Sequence, residues 1–325
     1  MTQKLKQRTH ALLAAALIGA ASVAVAQSPY PTRTIRVVSP FGPGGTSDLS
    51  TRLIADIAKD ILKVPIVVEN RPGGGGTVGI SQVSKLPADG YTLVQFSSSP
   101  IVIRPLVADV PFDPAKDLTY IGRYMVSHSP LVVRADSPFR SLTDLIKFSK
   151  EHPGRLRWAA GAPQGAAHLS TMALFLHEGL RTTFIPTGGG AEAMLQLLGG
   201  QIEAASITDF AGPMAEGKIR LLAESSPVRV ITAPDVLTYK ELGYPLSLAV
   251  YLGWAAPAGL PANVVKTWDD TMKAVVDSAR FKDFLRVQNA SPYYANSADL
   301  TREIRREISA LRDQLQQLGM GKAGR

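Results

Sequence analysis

Apolar positions along this chain switch repeatedly between the alternation of a strand and the three-to-four-residue spacing of a helix. From residue 34 the order reads strand (TIRVVS, 34–39), helix (DLSTRLIADIAKDILK, 48–63), strand (PIVVEN, 65–70), helix (TVGISQVSKL, 77–86) and strand (YTLVQFS, 91–97). In the first helix the spacing places Leu49, Leu53, Ile54, Ile57 and Ile61 on one face. Linkers of only a few residues predict a mostly parallel sheet with helices on its faces.

The pattern then restarts. Strands at 129–135, 156–161, 183–187 and 202–208 alternate with helices at 141–154, 167–179 and 191–200, the first of them capped by Ser141. A strand-like run at 248–259 and two helices, about 261–277 and 298–318, follow. Two α/β units result. The simplest arrangement puts residues 27–125 plus 246–325 in one domain and 126–245 in the other. Two chain crossings would then form a hinge beside a cleft, the usual seat of a small-molecule site.

The N-terminal residues narrow the compartment. Lys4, Lys6 and Arg8 precede the uncharged run ALLAAALIGAASVAVA, which ends in Ala24-Val25-Ala26. This predicts a cleaved secretory signal over residues 1–26, with Gln27 the first mature residue and a periplasmic location. The run is shorter than the roughly 20 residues a spanning helix needs. The absence of cysteine rules out thiol catalysis and thiolate metal sites. A formal charge of +8 includes the three cations of the signal segment. The remaining charges are interspersed, and TREIRRE (301–307) alternates in sign as a solvated helix face does, so no nucleic-acid partner is expected.

Candidate chemistry lies in glycine loops where strands give way to helices. PFGPGGTSD (40–48) offers Thr46 or Ser47 as a helix cap. Gly44 and Gly45 leave backbone amides open to an anion. Similar loops occur at Gly161–Gly165, ahead of His168, and at Thr187–Gly190. Each alone reads as turn chemistry or as an anion seat; three of them, at the carboxyl ends of strands, favour anion binding. A fourth, Gly74–Gly79, fits G-x-G-x-x-G, but the next strand ends in serines instead of an acid, so no dinucleotide or other cofactor is expected. Arg71 beside it reads as the partner of a nearby acid or carbonyl, with anion binding as the alternative.

The histidines, His10, His128, His152, His168 and His177, form no metal-ligand spacing. No nucleophile elbow occurs, and Ser97 to Ser99 read as hydrogen-bonding or turn hydroxyls, with a periplasmic hydrolase as the alternative. Trp158, Trp254 and Trp268 read as core, and Phe41 as a residue that could lie against a ligand.

These stretches together resemble the periplasmic substrate-binding receptors of tripartite tricarboxylate transporters, the Bug receptors. PFGPGGTSD, VVENRPGGGGTVG, LPADGYTL, PFDPAKDLTYIGRY, EGKIRLLAESSPVR and GWAAPAGLP carry the resemblance from Tyr30 onward. It implies an α/β Venus-flytrap fold with two domains, and a monomeric receptor, not an enzyme. Such a receptor takes a small organic carboxylate in its cleft and delivers it to integral-membrane permease subunits; presentation to a sensor kinase is an alternative role. The implied contacts are Gly44, Gly45, Thr46 and Asp48 with Phe41 beside them, Ser97 and Ser98 after the third strand, and Gln164 and His168 at a helix start. Two segments depart from the family pattern. Ala162–His168 lacks the usual hydroxyl, and Ile185–Gly189 lacks an aromatic and a cation. Asp209, just past a strand, either accepts from an ammonium or hydroxyl of the ligand or caps the next segment.

Overall fold

The computed structural model describes residues 29–322, so the expected signal segment lies outside the described residues. Three parallel strands, β1 (Ile35–Ser39), β2 (Ile66–Asn70) and β3 (Thr92–Ser97), begin the first sheet, and β4 (Leu118–Ser127) joins it. The chain then crosses to a second sheet built from β5 (Pro130–Arg134), β6 (Arg157–Ala160), β7 (Thr183–Phe184), β8 (Ala204–Ser206) and β9 (Ile219–Glu224). It returns to the first with β10 (Val250–Pro257) and β11 (Ser291–Asn296). The strand orders are β11-β4-β10-β3-β1-β2 and β7-β6-β8-β5-β9.

Both sheets are mixed, which corrects the mostly parallel expectation. The outgoing strand β4 lies beside the returning β10, so that pair runs antiparallel, as do β10 with β3 and β5 with β8 and β9. Parallel pairing survives only where a helix carries the chain back over the same sheet.

The Thr46–Leu62 helix is also rotated from its expected setting. Leu49 and Ile61 are exposed, whereas Ser50, Thr51, Ile54, Ala55, Ile57 and Ala58 face inward. Two polar residues can be buried because each has a partner. Ser50 and the Tyr124 hydroxyl are 3.1 Å apart, and Thr51 Oγ1 donates to the Ser47 carbonyl at 2.7 Å. Ser141 caps Leu142–Glu151 as expected: its Oγ accepts from the Asp144 amide while Asp144 accepts from the Ser141 amide. The tryptophans are buried, with Trp254 and Trp268 edge to face at 5.6 Å and Trp158 against Phe175 and Phe184.

The two crossings are tied together by one carboxylate. Glu224, at the end of β9, accepts from the amide of Ser129 on the outgoing crossing (3.1 Å) and of Ser226 on the returning one (2.8 Å). Ser225 Oγ donates to the Ser129 carbonyl at 2.8 Å, adding a second link between them.

Candidate functional site

Between the two sheets lies a cavity of about 800 Å³. Its walls are the loops that follow β1, β3, β6 and β8, together with the Gly74–Gly76 turn and the Thr187–Gly190 loop. Strands deliver their carboxyl ends to it and helices begin at it, so backbone amides gather there.

In the first loop Gly45 is itself the N-cap of the Thr46–Leu62 helix and supplies no side-chain cap, in place of the expected Thr46 or Ser47. Gly44 has φ +87, a left-handed conformation that L side chains avoid, and it turns its N–H inward to Asp48 Oδ2 at 3.0 Å. Asp48 is buried behind the loop and also accepts from Arg52 Nε (3.0 Å) and Asn70 Nδ2 (2.7 Å). Burial alone would raise its carboxyl pKa; the hydrogen bonds from Arg52, Asn70 and Gly44 outweigh that and hold it below the usual range. Asn70 donates in addition to the Phe41 carbonyl at 3.0 Å, which fixes the aromatic ring's backbone at the cavity edge.

Thr46 faces the cavity and meets a residue of the other sheet. Its N–H lies 3.4 Å, and its Oγ1 3.5 Å, from Asp209 Oδ1, while Oγ1 donates to Gln288 Oε1 at 3.1 Å. Burial pushes the Asp209 carboxyl above its ordinary value, against the lowering effect of those Thr46 bonds and of Thr208.

The opposing wall repeats the arrangement. The Ala166–His177 helix starts at Gly165, again without a side-chain cap of its own, and its Ala166 N–H is capped from the first sheet by Ser99 Oγ at 3.1 Å. Gln164, at φ +57, lines the cavity and donates its backbone N–H to His168 Nδ1 at 2.9 Å. His168 itself is buried against the Trp158 and Phe184 rings, 5.4 and 4.2 Å away. Burial lowers its pKa to about 4, so it stays the neutral acceptor that holds Gln164 in a strained turn.

Of the residues expected at the site, Phe41, Gly45, Thr46, Ser97, Gln164 and Asp209 line the cavity. Gly44, Asp48, Ser98 and His168 are not among the lining residues. The first two shape the loop behind it, His168 positions Gln164, and Ser98 Oγ donates to the Ala249 carbonyl at 2.7 Å, fastening the returning crossing. Arg71 pairs with Glu69 at 3.1 Å, as expected.

Arg104 lines the cavity and was missed. Its Nη1 donates to the Pro163 carbonyl across the cleft at 3.3 Å, and its buried Nε has no hydrogen-bond partner among the described residues. The available signal was a single cation in the otherwise apolar stretch after Ser97–Ser99. Among the described residues, no group of three or more histidines and acids is placed to hold a metal ion.

Two α/β sheets that exchange the chain twice and face each other over a glycine-rich cleft have the Venus-flytrap fold of periplasmic binding proteins. The chain belongs to the tripartite tricarboxylate transporter family receptors, whose family model matches residues 50–320. A Cupriavidus necator relative, the UPF0065 protein in gbd 5'region, is 33% identical over 95% of both chains. Among solved structures, an R. palustris protein with adipate superposes with a TM-score of 0.84 at 28% identity, covering 91% of this chain and 100% of that one. MatC from Rhodopseudomonas palustris, with bound malate, gives a TM-score of 0.80 at 26% identity over 88% of this chain and 100% of its own. The family consists of solute-binding receptors, not enzymes.

Proposed function

We propose that this chain binds a small organic acid in the cavity between its sheets and delivers it to a membrane permease of the tripartite tricarboxylate type. One observation carries this reading: helix starts from both sheets, with glycines at their caps, open onto one cavity of about 800 Å³. The helix dipoles at those starts favour a carboxylate there. The adipate and malate of the two solved relatives are acids of suitable size for such a cavity. The direct contacts on this reading are Phe41, Gly45, Thr46, Ser97, Gln164, Asp209 and Arg104. Gly44, Asp48, Ser98 and His168 support them from behind.

The domain boundaries belong to the same proposal: 27–125 with 246–325 forms one lobe and 126–245 the other. The Glu224-linked crossings serve as the hinge, and an acid touching both lobes stabilises the closed form that the permease recognises. A thermal-shift screen of small carboxylic acids against the purified protein tests the reading. An acid at about 100 times its Kd is expected to add about 2.7 kcal/mol of stability. A screen in which no acid raises the melting temperature contradicts it.

A further inference from the structure

Charge is scarce around the cavity: the charged residues lining it are Arg104, Glu192 and Asp209. Glu192 is exposed and already accepts the Gly188 amide at 2.7 Å. The interior electrostatics therefore rest on one cation and one carboxylate. Among the described residues Asp209 is held by neutral donors, Thr46 N–H and Thr208 Oγ1, each at 3.4 Å, while the Thr46 hydroxyl donates to Gln288 Oε1 instead. Such long bonds compensate a half-buried carboxylate poorly. Its raised pKa has burial as the leading cause and no cation among the causes that offset it. Arg104 has the complementary deficit, a buried Nε with no acceptor.

Asp209 also occupies a place that matters for the choice of ligand. Its Oδ1 lies at the Thr46 amide, the first of the helix and the amide an incoming carboxylate would seek. A dicarboxylate would bring a like charge against Asp209 at that point, whereas an ammonium would supply the missing counter-charge.

We propose, resting on the receptor reading above, that Arg104 and Asp209 select a zwitterionic amino acid over a dicarboxylate of the same carbon count, with the ligand carboxylate on Arg104 and its ammonium on Asp209. Asp209 is then the specificity-determining residue. The third strand's serines and Gln164 serve either class of acid and do not discriminate.

The test is calorimetric titration of the purified protein and of Asp209→Asn. The probes are amino acids of three to six carbons and straight-chain dicarboxylates of the same carbon counts. At least one amino acid is expected to bind the wild-type protein about tenfold or more tighter than its matched dicarboxylate, and Asp209→Asn to lose that margin. Melting curves accompany both proteins, and Asp209→Ala replaces the asparagine variant if that does not melt cooperatively. A wild-type preference for dicarboxylates, or an amino-acid preference that survives loss of the Asp209 charge, overturns this inference while leaving the receptor reading intact. If neither class binds the wild-type protein, the inference falls, and the receptor reading is decided separately by the thermal-shift screen of other carboxylic acids.

Discussion

Gly253→Val is expected to destabilise the protein severely. Gly253 lies in β10 between β3 and β4, at a register shift in the pairing with β4. A Cβ built there would stand 2.5 Å from Phe96 Cζ and 2.7 Å from the Gly122 carbonyl. Neither neighbour can yield easily. Phe96 is fully buried and packs edge to face with Tyr120 at 5.4 Å, and the Gly122 carbonyl is backbone of the adjacent strand. Overpacking of this kind costs about 3 kcal/mol or more, a large share of a typical folding free energy. The consequence reaches the site, because Leu252, the preceding residue, lines the cavity. Urea unfolding checks this: a variant with a wild-type midpoint would show that the sheet accommodates the side chain.

The second large effect concerns Glu224, the carboxylate that joins both crossings. It is fully buried, and burial raises its pKa to about 7 despite amide bonds from Ser226 and Ser129; Oε2 has no partner among the described residues. The folded value therefore lies above the unfolded one, and the folded state holds a proton that the unfolded state releases. Stability from this group is present at low pH and is lost as pH rises from about 4.5 through about 7. A gap of about two and a half units corresponds to about 3 kcal/mol. Glu224→Gln cannot titrate. Relative to that variant, the wild-type protein is expected to lose about 3 kcal/mol between about pH 4.5 and about pH 8. Buried His128 and His168, whose pKa values fall to about 4, titrate in the opposite sense but are common to both proteins and cancel in the difference. Denaturation midpoints across that range provide the measurement, and parallel curves for the two proteins would mean that folding does not raise the Glu224 pKa.

Much of the architecture was legible in the apolar periods. β1 to β3 and their helices declare themselves because each has an apolar run broken by glycine, proline or asparagine. β4 does not. Nearly every residue of Leu118–Ser127 is buried, so no alternation marks a face, and Arg123 interrupts the apolar run. That arginine is tolerated inside the sheet because it lies 3.5 Å over the Tyr293 ring and 2.7 Å from Glu303, a residue 180 positions on that spacing does not connect to it. Missing β4 is also why the sheet looked mostly parallel.

The site divides along the same line. Glycine loops at strand ends were visible locally, and they do border the cavity. Which residues of a loop point inward was not visible. Asp48 and Gly44 share a motif with Gly45 and Thr46, yet they bond to each other and turn away. Contacts between the sheets were beyond reach for the same reason: Thr46 and Asp209 meet across 163 positions, and Ser99 and Ala166 across 67. Only the fold brings them together.

On the receptor reading an acid binds in this cleft beside Asp209, and a single substitution can displace that carboxylate. Gly190 lines the cavity and packs so closely on Asp209 that a methyl group there would overlap Oδ2. Gly190 has no left-handed backbone to strain, so Gly190→Ala is expected to act by displacing the Asp209 carboxylate and narrowing the cavity. Calorimetric titration of wild-type and Gly190→Ala protein with the acids that pass the thermal-shift screen is predicted to show one-to-one binding to the wild type. The variant should bind about tenfold or more weakly while its melting temperature changes by no more than a few degrees. Equal affinities in the two proteins, or no heat of binding to the wild type from any acid, would contradict the account.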